Sequence, residues 1–405
     1  MKFYIQDPIF TGGYSLHEAL LEACQDVIYG AGVFAFVTSG GVDLFLGDQS
    51  FENFMKRNRE KFQLIVGIDE ITNTRTLAKL QVMQDKYGEK LDIKVLMHSH
   101  KSVTFHPKFT WFKKEAGGIV IVGSNNLTEK GLRRNIEAFS INEVSEEEIL
   151  EIQEYFNKWL VENDRYLLPI DNDDVIEKAK ANIRVVSYKR KGIFVEQSDA
   201  EEKNTDGEEE QAIAGIPDAS EIGEADECKD VNVSEELGES EEIDEEDFEA
   251  WTFTEDNSVL VAQIPRSDNR WSQANFNKDT FEQFFGARAG YTGSHRILLR
   301  SVNRRGKIQH IEVRPSVSVS SQNYRFELEA AKGLSYPNQG RPIAVFINLS
   351  VRMYVYALIM PGDSFYNEVD SYINHLKGNR MVRYITTVDD VRRNCPSLPL
   401  WNITR

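Results

Sequence analysis

The stretch Thr104-Phe105-His106-Pro107-Lys108-Phe109-Thr110-Trp111 sets an imidazole and an ammonium two residues apart among aromatic side chains. On a strand, alternate residues share a face, so His106 and Lys108 are expected to point together while Phe105, Phe109 and Trp111 pack behind them. Downstream follow Gly123-Ser124-Asn125-Asn126 and then Glu137. The set holds a nucleophile or acid/base, a cation, small polar donors in a turn that starts with glycine, and a carboxylate. Those parts suffice to open a phosphodiester without a metal: an imidazole for attack and proton transfer, donors and a cation for the charge that builds on the phosphoryl oxygens. Each alone is commonplace, since Gly-Ser-Asn-Asn is an ordinary turn and a lone histidine a common surface or core residue. Their joint order singles them out.

Other chemistries find less support. His98-x-His100 together with His106 could offer three imidazoles to zinc, but no carboxylate or cysteine follows at ligand spacing. There is no P-loop, GxSxG or GxGxxG, so ATP use by this chain is not indicated, and no metal or other cofactor is expected. Cys24, Cys228 and Cys395 lie far apart and form neither a disulfide framework nor a cysteine zinc site. The N-terminal MKFYIQDPIF lacks the apolar core of a signal peptide, and no apolar run approaches the roughly 20 residues of a membrane span. A soluble, cytoplasmic protein of a reducing compartment, with no membrane partner, is the expectation.

The elements that must position these residues alternate in the first 165. Ser15-Leu16-His17-Glu18 reads as a capping box opening a helix to about Val27. Strand-like runs at Val33–Val37, Phe62–Val66 and Ile93–Met97 are separated by helical patterns near Phe51–Arg59 and Thr76–Lys86, which argues for parallel pairs with helical crossovers. Val103–Phe112, a turn at Lys113–Gly118 and Ile119–Val122 read as an antiparallel pair grafted onto that sheet, followed by a strand at Ile136–Ile141. Ser145 then caps an amphipathic helix from Glu146 to about Glu162, with Ile149, Ile152, Phe156, Trp159 and Leu160 on one stripe.

Charge divides the chain. The formal net charge is −18, yet residues 196–249 hold 24 Asp and Glu against two Lys, a net of −22. Residues 250–405 carry 20 Lys and Arg against 13 Asp and Glu, a net of +7. Residues 1–195 are therefore expected to form an α/β domain, 196–250 an acidic flexible linker, and 251–405 a mainly-β, Arg-rich domain. Strands are expected at Val259–Ile264, Arg296–Val302, Ile308–Val313, Tyr324–Leu328, Ile343–Leu349 and Met353–Met360, in a compact barrel or sandwich with short helices near Lys278–Phe285 and Ser364–Leu376. Its basic residues are 16 Arg against 4 Lys, and the guanidinium fork suits phosphates and the guanine edge. Arg266, Arg270, Trp271, Asn275, Arg304, Arg305, Asn323 and Arg325 mix arginine with amides and aromatics in loops, the composition expected for reading DNA.

His-x-Lys followed by Gly-Ser-x-Asn and a later Glu resembles the phospholipase D superfamily, whose pattern is His-x-Lys-x4-Asp-x6-Gly-Ser/Gly-x-Asn. The residue types of His106, Lys108, Gly123, Ser124 and Asn126 match in that order, while Lys113 stands where the family has Asp and nine residues, not six, separate it from Gly123. The resemblance covers about Ile5–Glu162 and implies a mixed sheet flanked by helices, cleavage of phosphodiesters through a phosphohistidine, and two copies of the motif facing each other. The complete pattern occurs once here, so the resemblance implies a homodimer through the N-terminal domain. A domain of this kind followed by an Arg-rich β-domain is similar to the BfiI-like and NgoAVII-like restriction endonucleases, in which the second domain is a pseudobarrel related to the plant B-three DNA-binding fold.

The expected function is a metal-independent endonuclease on double-stranded DNA, in restriction or anti-phage defence, with His106, Lys108, Ser124, Asn126 and Glu137 as its catalytic set. Glu137 is expected to orient the His106 ring. The sequence leaves open a separate ATPase/helicase or methyltransferase partner. It also leaves open a phosphodiesterase acting on lipid or other small esters, and a DNA-binding protein with a degenerate nuclease fold.

Overall fold

The computed structural model describes residues 1–10, 12–57, 61–98, 103–182, 244–266, 271–287, 295–315, 324–377 and 381–405. An eight-stranded mixed sheet organises the N-terminal half. Its strands are β1 (Lys2–Gln6), β2 (Tyr29–Phe34), β3 (Lys61–Gly67), β4 (Leu91–Leu96), β5 (Lys108–Lys113), β6 (Gly118–Gly123), β7 (Glu137–Val144) and β8 (Leu167–Leu168). They lie in the order β1-β7-β6-β5-β2-β3-β4-β8. β2, β3 and β4 run parallel, with α2 (Ser39–Phe45), α3 (Gln49–Lys56) and α4 (Thr74–Tyr87) in the connections. β5, β6 and β7 are antiparallel, and β5 joins the parallel strands by pairing antiparallel with β2. The expected graft is thus present.

Alternating side chains send the two faces of the sheet into separate cores. Phe34, Phe62, Leu64 and Phe112 face α1 (Leu16–Ala23) and α2–α4, through Leu20, Phe45, Phe51 and Leu80. Ala31, Val33, Ile65 and Trp111 face α5 (Glu146–Glu162), whose Ile149 and Phe156 form the expected stripe with Ile152, Trp159 and Leu160. The expected capping box forms at Ser15–Glu18, and the expected cap at Ser145 proves to be a second capping box with Glu148, although α1 stops at Ala23 rather than near Val27. A further helix, α6, spans 173–182, and its Asn182 amide donates to the carbonyls of Ile68 and Thr72 at 2.6 and 2.8 Å.

The C-terminal half contains β9 (Ser258–Gln263), β10 (Gln273–Phe276), β11 (Arg296–Val302), β12 (Ile308–Pro315), β13 (Tyr324–Glu327), β14 (Ile343–Ser350), β15 (Met353–Ile359) and β16 (Arg383–Thr387). Six of them form a sheet in the order β12-β11-β15-β14-β9-β16, and β10 and β13 pair as a separate ribbon. Among the described residues β12 and β16 are the sheet's edges, and no described ladder closes it into a barrel. Val261, Val345 and Val355 face one core; Leu260, Phe346 and Tyr356 face another, which also takes Phe276 and Phe326 of the ribbon.

The acidic segment differs from expectation at its end. Residues 196–243 lie outside the described residues, but α7 (Glu245–Glu249) is folded against the N-terminal half. Asp247 accepts hydrogen bonds from the Thr38 hydroxyl at 2.6 Å and the Gly40 amide at 2.7 Å, and Asp244 accepts from the Ser39 hydroxyl at 2.6 Å. Ala250 and Trp251 are buried behind them. Acidic composition reads as a solvated tether only where no donors face the carboxylates; here the start of α2 supplies them.

The two halves share one core, which unites Leu20, Phe45 and Leu132 with Trp251, Val261 and Val355. Ion pairs cross the junction at Arg352–Glu18 (2.6 Å), Arg300–Glu129 (2.7 Å) and Arg296–Asp48 (3.0 Å).

Candidate active site

Lys108 opens β5, paired with Phe34 of β2. The strand does not extend back to Val103 as expected, and His106 sits on the lead-in segment. Pro107 explains this, because it has no N–H to give to a ladder. The Lys108 ammonium nevertheless lies 2.9 Å from each ring nitrogen of His106 and 3.1 Å from its carbonyl oxygen. The edge of Phe36 meets the His106 ring at a centroid distance of 5.9 Å. Phe105, Phe109 and Trp111 pack in the core under α5, as expected. The imidazole is exposed while Lys108 is buried. Burial pulls the Lys108 pKa down from its ordinary value, and the nearby Glu137 carboxylate opposes that shift.

The turn after β6 brings in the remaining groups. Gly123 lies so close to β7 that a Cβ there would sit 2.6 Å from the Phe139 Cβ and 2.8 Å from the Ala138 carbonyl oxygen. Only glycine permits the approach that seats Ser124 on β7. The Ser124 hydroxyl donates to the Glu137 carboxylate and accepts the Ala138 amide at 3.1 Å. The Asn126 Oδ1 accepts the Phe36 amide at 3.3 Å, tying the turn to the chain leaving β2. Glu137 also accepts from the Asn135 amide group at 3.0 Å. Its hydrogen bonds within this chain therefore run to Ser124 and Asn135 and not, as expected, to the His106 ring. The cause is placement: Glu137 opens β7 beside the end of β6, whereas His106 precedes β5.

Sequence reasoning missed Asn125 and Asn135. Asn125 is buried, and its amide group donates to the Gly131 carbonyl at 2.8 Å. Asn135 caps the C-terminal end of a short π-helix, Lys130–Arg134, that ties the turn to the C-terminal half. In that helix Arg133 donates to the Arg296 carbonyl at 2.6 Å, its own carbonyl accepts from the Ser350 hydroxyl at 2.7 Å, and Arg134 donates to the carbonyls of Leu349 and Thr252. A second bare His-x-Lys, His375-Leu376-Lys377, lacks a following Gly-Ser-x-Asn. It lies at a 3₁₀ helix where Lys377 pairs with Asp370 at 2.6 Å, so it is no second half-site. His100, part of the alternative three-imidazole set, lies outside the described residues. Among the described residues no cluster of three or more His, Cys, Asp and Glu is arranged to hold a metal.

The residues expected to touch DNA separate into groups. Arg270 and Asn323 lie outside the described residues. Trp271 is a core residue: its indole N–H donates to the Leu334 carbonyl at 2.9 Å and its ring meets Tyr336 at 5.5 Å. A ring this apolar packs before it reads a base. Arg304 is held by Asp363 at 2.8 Å. Arg305 is exposed in the same turn, Arg266 is exposed beside Tyr336, and Asn275 and Arg325 face each other across the β10–β13 ribbon.

Residues 53–160, which hold the whole His106–Glu137 set, match the family model "Cardiolipin synthase, PLD-like domain". Among solved structures the chain is similar to NucT from Helicobacter pylori, at 15% identity over 41% of this chain and 98% of that one, with a TM-score of 0.30. It is similar to Nuc from Salmonella typhimurium, a phospholipase D family member, at 12% identity over 41% and 97%, with a TM-score of 0.29. It is also similar to the N-terminal domain of Helicobacter pylori LlaJI.R1, at 15% identity over 32% and 97%, with a TM-score of 0.23. No curated protein sequence matches. Among the described residues no helix is long and apolar enough to cross a membrane. Residues 53–160, within the α/β half, are thus similar to a phospholipase D-like domain.

Proposed function

We propose that this protein is a metal-independent endonuclease that cuts double-stranded DNA through a phosphohistidine, serving restriction or anti-phage defence. The observation that carries the reading is the contact of Lys108 with His106 beside the Ser124–Glu137 pair, inside a phospholipase D-like domain. An Arg-rich β-domain behind such a domain, similar in order to the BfiI-like and NgoAVII-like enzymes with their B-three-like pseudobarrel, supports DNA as the substrate. A His106 ring nitrogen attacks phosphorus, forming the N–P bond as the bond to the leaving sugar oxygen breaks. His106 of the partner subunit gives its proton to that oxygen. Water then attacks phosphorus, the N–P bond breaks, and the water proton passes to the partner's His106. Lys108, Ser124 and Asn126 stabilise the charge on the pentacoordinate phosphorus.

A single complete motif per chain requires a second chain. Phe3, Ile5, Val122 and Ile136 are 63%, 56%, 48% and 70% exposed. Phe3 and Val122 flank Ser140 across β1-β7-β6, and Ile5 lies opposite Ala138, next to Ser124 and Glu137. An apolar sheet face of this kind beside a half-site fits a homodimer seam. Sedimentation of the full chain is expected to show a dimer, and Ile5→Asp with Phe3→Asp a monomer that no longer cuts. A monomer that cuts as well as the wild type would overturn the two-chain site.

A further inference from the structure

Thirteen of the 16 arginines in residues 250–405 are described. Eight of the thirteen face carboxylates in ion pairs, among them Arg296, Arg300 and Arg352 at the domain junction. The other five, Arg266, Arg305, Arg325, Arg341 and Arg383, have no described carboxylate partner. Four of these five gather at one place. Arg325 lies opposite Asn275 on the β10–β13 ribbon, and the Asn275 carbonyl accepts from Arg383 at 2.8 Å. The Arg383 guanidinium also sits over the ring of Phe276 in the same ribbon, 5.4 Å from its centroid. Arg266 stands 6.0 Å from the Tyr336 ring centroid, and the Tyr336 hydroxyl donates to the Ile264 carbonyl at 3.0 Å. The Ile264 amide donates to the Pro342 carbonyl at 2.8 Å, continuing the antiparallel β9–β14 pairing so that Arg341 comes alongside Pro265 and Arg266. Glu327, two residues along from Arg325, acts instead on Lys332.

We propose that Arg266 and Arg341, with Arg383 behind them, form a ledge that binds the phosphate backbone of duplex DNA. The inference rests on the nuclease reading for its substrate but not for its test. Cations with no described carboxylate partner, held side by side, repel one another, and a fold that pairs most of its described arginines leaves these for an anion from outside. Arg383 is fixed by the carbonyls of Gln263, Val382 and Asn275, so it serves as a charged wall. Arg266 and Arg341 are exposed and can each present a fork to a phosphate. The base edges would then fall to the neighbouring Arg325 and Asn275.

The test uses the full chain carrying His106→Ala, so that cleavage cannot intervene, and a labelled random-sequence 30-base-pair duplex titrated at several salt concentrations. Arg266→Ala with Arg341→Ala is expected to weaken binding at least about tenfold and to flatten the slope of log affinity against log salt by about two, one for each lost phosphate contact. Arg266→Lys with Arg341→Lys should keep the slope, which separates lost charge from lost fold. Lys307→Ala, which removes an exposed cation outside the ledge, should change neither. An unchanged slope in the double alanine variant, or an equal effect of Lys307→Ala, overturns the ledge. If the wild type binds with the ledge-dependent slope yet never cuts, the ledge stands and the nuclease reading falls.

Discussion

The guanidinium of Arg300 meets the carboxylate of Glu129 at 2.7 Å across the junction of the two halves, with both side chains out of solvent. The Trp251 indole N–H donates to the same carboxylate, and the Arg300 guanidinium lies 4.9 Å from the Trp251 ring centroid. Glu129 leads directly into the π-helix that follows the Ser124–Asn126 turn, so this pair clamps that turn to the C-terminal half.

Removing one member should expose what the pair holds. Burial raises the Glu129 pKa, and Arg300 opposes that rise. Arg300→Met leaves Glu129 buried without its cation and is expected to destabilise the chain by about 3–5 kcal/mol. Glu129→Met combined with Arg300→Met should recover most of that loss in urea unfolding. A double variant as unstable as the sum of the singles would show that the two do not interact.

Acid stability should report on Glu18. Burial alone would raise its pKa, but Arg133 and Arg352 outweigh burial and hold it well below the ordinary carboxylate range. A depressed carboxylate stabilises the fold above its unfolded value of 4.5, and that contribution is lost as pH falls below it. Glu18→Gln should therefore be less stable than the wild type at pH 7, with the gap closing at pH values progressively below 4.5. A gap that stays constant with pH would assign the loss to packing alone.

Asn135 is expected to act through Glu137, whose carboxylate it holds at 3.0 Å. Asn135→Ala should lower kcat for a small phosphodiester such as bis-p-nitrophenyl phosphate by about tenfold or more, with KM little changed and the pH–rate profile shifted. Asn135→Asp, which sets a second carboxylate against Glu137, should be no better. An unchanged pH profile with an equal fall in thermal stability would reduce Asn135 to a cap.

Local patterns made much of this molecule legible. Two capping boxes, the α5 stripe, the β5–β6 hairpin and the His106-Lys108 and Ser124-Asn126 groups all follow from residues within a few positions of one another. The junction does not. Glu18 meets Arg352 and Glu129 meets Arg300 across more than a hundred residues, and no periodicity records such pairs. The Arg-rich composition of the C-terminal half therefore read as a nucleic-acid surface throughout, although several arginines serve its own core. Asp244 and Asp247 vanished into a run of like charges, because composition cannot show which carboxylates face the amides of α2. The four-residue β10 carries too short an alternation to stand out.

Conversion of supercoiled plasmid in EDTA, compared between the wild type and His106→Ala, tests the phosphohistidine mechanism most directly. The wild type is expected to cut in EDTA, and His106→Ala to cut nothing while binding DNA within a few-fold of the wild type. Cleavage that is absent in EDTA and restored by magnesium or zinc would contradict the mechanism.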